Sequence, residues 1–110
     1  MKGLIALTVA LLLVASLSDA TNNAFLREHI LEGLEYSYEE NYEKAKIHFS
    51  KAIEEDPEDP SGYFFLCGLY GLYMSDFSTD EVDGLFLINL LEATWAARKR
   101  IERDRNDAWA

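Results

Sequence analysis

One cysteine, two prolines and two histidines among 110 residues exclude several kinds of protein at once. With Cys67 alone, no intramolecular disulfide can form, and a thiolate zinc cluster has no second sulfur. His29 and His48 fall on different helices and no second cysteine joins them, so a zinc site would lack ligands; no metal and no cofactor is expected. Both prolines lie in Asp56-Pro57-Glu58-Asp59-Pro60, which excludes helix through that stretch. No glycine-rich phosphate loop, nucleophile elbow or HExxH-type helix is present. The best enzyme constellation, Cys67 with either histidine, has no such support, and no catalytic residue is expected. Basic residues are few: ten against twenty acidic ones, for a net charge of −10. So acidic a body repels a phosphate backbone, which argues against nucleic acid.

The amino terminus carries what the rest lacks, a continuous apolar run. Lys2 precedes Leu4 to Leu17, and Ser18-Asp19-Ala20 follows with small residues at the first and third places before a cut after Ala20. That three-part pattern reads as an export signal over residues 1–20, giving a periplasmic or extracellular protein of residues 21–110. The alternative is an uncleaved anchor that tethers the same module to a membrane. No cysteine follows the run, which argues against a bacterial lipoprotein.

Beyond the signal, the spacing predicts an all-α chain of about four helices. The first starts after Thr21, Asn22 or Asn23, carries Phe25, Leu26, Ile30, Leu31, Leu34 and Tyr38 at helical spacing, and ends near Glu40-Asn41. The second runs from Tyr42 to Glu55, with Ala45, Phe49, Ala52 and Ile53 on one face, until Pro57 stops it. The third, Ser61 to about Met74, is apolar on nearly every side and so is expected to be buried, with Gly68 and Gly71 marking close approach of neighbours. Ser78 and Glu81 suggest a capping box for a long fourth helix, Asp80 to Arg103, whose apolar side is Val82, Leu85, Phe86, Ile88, Leu91, Trp95 and Ile101. Glu28, Glu32, Glu35 and Glu39 form a carboxylate stripe that reads as a solvated face rather than a cation site. Glu28 to Asp59 holds eleven acids and three lysines, Arg98 to Arg105 five basic residues and two acids, so the two ends differ in sign.

Tyr36 and Tyr70 stand 34 residues apart, as do Gly33 and Cys67. With Ala45, Phe49, Ala52 and Pro57 between them, the chain resembles the tetratricopeptide repeat family, whose unit is a Trp-x-x-Leu-Gly-x-x-Tyr helix followed by an Ala-x-x-x-Phe-x-x-Ala helix closed by proline. Gly33, Tyr36, Ala45, Phe49, Ala52 and Pro57 match one unit, about residues 26–59; His29 and Glu32 stand where the aromatic and the leucine belong. Tyr63, Leu66, Cys67 and Tyr70 match the first helix of a second unit, about 60–105, whose outer helix is about 14 residues longer than usual. Residues 106–110, with Trp109, look like the opening of a third.

The resemblance implies a stack of helical hairpins that presents a surface to a protein. It places Ile30, Leu34, Ser37 and Tyr38, then Ser61, Phe64, Gly68, Gly71 and Leu72, along a concave partner-binding groove suited to an apolar or aromatic peptide segment or a partner helix. The alternative for these residues is burial against an unseen helix. With no successor to cover the last helix, self-association or continuation as a longer repeat protein is also expected. A membrane enters only if the signal stays attached.

Overall fold

Four α-helices and no strand make up the described residues, 23–109, of a computed structural model, with side chains described as far as residue 106. The expected export signal lies outside them. Helix α1 (Ala24–Tyr38) begins where Asn23 Oδ1 accepts the Leu26 N–H at 3.0 Å, so Asn23 is the cap among the three candidates. It ends in a Schellman-type turn. Glu40 takes a left-handed conformation (φ 61°) and the Asn41 N–H reaches back to the Tyr36 carbonyl at 2.9 Å. Asn41 then caps α2 (Tyr42–Glu55) by accepting the Lys44 N–H at 3.3 Å.

The turn that follows α2 is organised by two aspartates. Asp56 accepts the Glu58 N–H at 3.0 Å, and Asp59 caps α3 (Pro60–Phe77) by accepting the Ser61 N–H at 2.9 Å and the Ser61 hydroxyl. Pro60 occupies the first turn of α3, where a missing N–H costs nothing. Asp59 is only 2 % exposed, and its second oxygen receives Arg100 Nη1 from the last helix at 3.1 Å. One carboxylate therefore caps α3 and anchors α4 (Asp83–Trp109) to the turn.

Helix α3 passes the expected end at Met74, because no breaker occurs before Ser78 takes a left-handed conformation (φ 48°) and Thr79 N–H closes on the Met74 carbonyl. The expected capping box does not form: Ser78 ends α3, and the Glu81 N–H goes to Thr79 Oγ1 at 3.2 Å instead. Helix α4 starts later than expected and continues through Asp104-Arg105 to Trp109, so no turn sets residues 106–109 apart as a new unit. Part of the extra length expected of α4 alone thus lies in α3 and the Ser78–Val82 connection.

Helices α1, α2 and α3 share a core of Leu26, Ile30, Leu34, Ala45, Phe49, Ala52, Phe65, Leu66, Leu69 and Tyr70. At its centre Phe49 presses on the α1 backbone: a Cβ placed on Gly33 would lie 2.4 Å from its ring. The same ring stacks on Phe65, centroids 5.9 Å apart. Glycine at 33 is what lets α1 and α2 approach this closely. The expected close approach at Gly68 is absent, since nothing lies within 4 Å of a Cβ there, whereas one on Gly71 would meet the Phe86 ring at 3.2 Å. The Tyr42 hydroxyl donates to Asp76, and its ring packs edge-on against Tyr73 and Phe77, joining the start of α2 to the end of α3. Burial, followed by that carboxylate, raises the Tyr42 pKa above its ordinary value.

Candidate partner-binding surface

The residues expected to pack the hairpins lie mostly inside. Gly33, Ala45, Phe49, Ala52, Leu66, Cys67 and Tyr70 are buried; Tyr36 and Tyr63 are half-buried, and Pro57 is exposed at the turn. Tyr63 has its pKa raised by burial and then by Glu92 of α4. Cys67 is buried on α3, and burial raises its thiol pKa, which keeps it protonated.

The residues expected to line a groove do not share one surface. Ile30 and Leu34 belong to the core, and Ser61 is buried with its hydroxyl on Asp59. The Ser37 hydroxyl donates to the Gly33 carbonyl at 2.8 Å, which spends it on its own helix. Tyr38, Phe64 and Gly68 are exposed, while Gly71 and Leu72 are half-buried. Phe64 is held edge-on against Phe65, centroids 5.4 Å apart, so its ring stands fixed at the surface.

A larger apolar surface lies on α4, where the residues expected to form one apolar side divide between the two faces. Only Val82, Phe86, Ala93 and Ala96 of the apolar residues named here turn inward, the first two packing on the core and the alanines being buried. Leu87, Ile88, Leu91 and Trp95, between 53 % and 60 % exposed, run along the opposite side, with Leu85, Leu90 and Ile101 exposed beside them. At 3.6 residues per turn Leu91 projects almost directly away from Ala93 and Phe86. A helix with more apolar residues than its one neighbour can cover leaves such a strip behind. Toward its carboxyl end, Lys99 sits over the Trp95 indole, 5.2 Å from the ring centre, and Arg103 lies 3.6 Å from Glu58. With Pro57 and Arg100 these residues line a recess between α4 and the α2–α3 turn.

The packing also joins groups that the sequence reading kept apart. His29 and His48 meet across α1 and α2, and Glu32 reaches the same point. Although the two histidines stand on different helices, α1 lies antiparallel along α2 and brings them together. The available signal was the i, i+3 pair His29 and Glu32, which share one helix face, together with the position of His48 at a similar distance beyond the turn.

No family model matches the chain, and comparisons with curated proteins and with solved structures also find no match. No described helix is long and apolar enough to cross a membrane.

Proposed function

We propose that the protein is an exported, non-catalytic scaffold of tetratricopeptide-like hairpins that docks a partner helix or an apolar, aromatic peptide segment. The observation that carries this reading is the outward strip Leu87, Ile88, Leu91 and Trp95 on α4, each more than half exposed. Helical spacing makes these residues one ridge, suited to helix-against-helix docking at i, i+4 anchors. The charges support a directional contact. Glu81 and Asp83 flank the amino-terminal end of the ridge, and Arg98 and Lys99 its carboxyl end. Export rests on the pattern Lys2, Leu4 to Leu17 and Ser18-Asp19-Ala20. Repeat character rests on the 34-residue interval and on the fit of Phe49 against Gly33.

Affinity capture with the wild-type protein and with a Leu91→Glu/Trp95→Glu variant tests the reading. Both positions are exposed, so the variant keeps its helical circular dichroism and midpoint. A partner retained by the wild type and lost by the variant is the expected result. Equal retention by both would show that α4 is not the docking ridge.

A further inference from the structure

His29 and Glu32 lie one helical turn apart on α1, and His48 faces them from α2. The two Nδ1 atoms are 3.4 Å apart, and His48 Nδ1 is 2.9 Å from Glu32 Oε2. Each of the three residues offers one ligand atom such that all three lie within 4.8 Å of one another. We propose that His29, Glu32 and His48 form a three-ligand site for a divalent transition-metal cation of the zinc type, with a coordination position left open to water.

Proton placement is the first argument. If the hydrogen is on His48 Nδ1, it goes to Glu32 at 2.9 Å and leaves the His29 Nδ1 lone pair facing it at a long 3.4 Å. If it is on His29 Nδ1, His48 turns a lone pair toward a carboxylate. A cation at the point of convergence removes the conflict, because every one of these atoms then donates a lone pair to it. Tetrahedral ligands at about 2.0–2.1 Å from zinc stand about 3.3–3.4 Å apart, so the histidine pair already has the required separation. The His48–Glu32 contact opens by about 0.5 Å, and Glu32, whose ligand atom lies within 4.8 Å of the other two, swings toward His29 to close the third edge.

The second argument is internal to the chain. Thirty-four residues beyond His29 and Glu32, the corresponding positions on α3 carry Tyr63 and Leu66, a half-buried aromatic and a buried leucine. At the same places α1 carries an imidazole and a carboxylate, and α2 supplies a second imidazole to meet them. The site is also supported and accessible. Tyr36 stacks on the His48 ring, centroids 5.4 Å apart and 16° from parallel, which fixes the ring's direction. The His48 side chain is 16 % exposed and that of Glu32 42 %, so an ion can enter from solvent and keep a water. Two imidazoles with one carboxylate suit Zn²⁺, Ni²⁺ and Cu²⁺ over Mg²⁺ or Ca²⁺, which prefer oxygen donors. This inference stands apart from the docking ridge on α4, and either can fail without the other.

Titration calorimetry on the tag-free protein, stripped with a chelator and then titrated with ZnCl₂, tests it. The wild type takes up one Zn²⁺, His29→Gln and His48→Gln weaken binding by about tenfold or more, Glu32→Gln also weakens it, and Glu54→Gln, an exposed acid on α2, leaves it unchanged. Absence of saturable uptake, or equal binding by His48→Gln, would overturn the site. Nitrogen-15 histidine spectra of the wild type decide even if a variant fails to fold: Zn²⁺ shifts both Nδ1 resonances if the site is correct, and unshifted Nδ1 signals refute it.

Discussion

Replacing Asp59 by alanine should cost more than any other single change in a turn residue. The carboxylate is 2 % exposed, accepts the Ser61 N–H at 2.9 Å and the Ser61 hydroxyl, and receives Arg100 at 3.1 Å. Loss of an N-cap typically costs about 1 kcal/mol. The Ser61 hydroxyl, left buried and short of a partner, adds about 1 kcal/mol, at the low end for a buried polar group. Arg100 is 23 % exposed and can turn to water, so its lost partner adds only about 1 kcal/mol more. The sum, about 3 kcal/mol, corresponds to a fall in midpoint of about 12–24 °C for a domain of this size. Asp59→Asn keeps the cap and should cost about 1 kcal/mol. Urea unfolding followed by circular dichroism measures both, and a cycle with Arg100→Gln should give a coupling of about 1 kcal/mol. An Asp59→Ala loss below about 1 kcal/mol, or a coupling within about 0.3 kcal/mol of zero, would refute the claim that this residue joins α4 to the turn. The exposed Arg103–Glu58 pair should contribute nothing measurable.

Two glycines should respond with opposite signs in thermal melts. Gly33→Ala should destabilise by about 1–3 kcal/mol because its Cβ would meet the Phe49 ring, whereas Gly68→Ala, with open space, should stabilise by about 1 kcal/mol. Tyr42 sets an alkaline limit. Its folded pKa is raised above the ordinary 10.0, so the folded state holds the proton longer than the unfolded one. The stability this contributes is complete below about pH 10 and is lost as pH rises beyond it toward the folded value. Unfolding midpoints between pH 9 and 11 should therefore fall more steeply for the wild type than for Tyr42→Phe.

Much of the helical outline was legible because its signals are local. Asn41 and Pro57 mark ends that the sequence alone identifies, the start of α1 is narrowed by sequence to Thr21, Asn22 or Asn23, and α2 runs between the expected residues. The end of α3 was not legible, because nothing between Met74 and Phe77 breaks a helix and Ser78 serves as a left-handed stop rather than as a start. Helix α4 shows a different limit. Periodicity reveals that an apolar stripe exists but not which side meets a neighbour, and the side closed by Ala93 and Ala96 is buried because small residues admit close packing. The same gap separates Ile30 and Leu34, expected in a groove, from the core they occupy. The meeting of His29 with His48 depends on the register of α1 against α2, which no single helix encodes.

The docking claim is tested most directly by placing a photo-crosslinking amino acid at Leu91 and, separately, at Lys51, an exposed position on α2, in cells that make the protein. The account predicts a discrete adduct from position 91 and none from position 51. No adduct from position 91, or the same adduct from both, would contradict it.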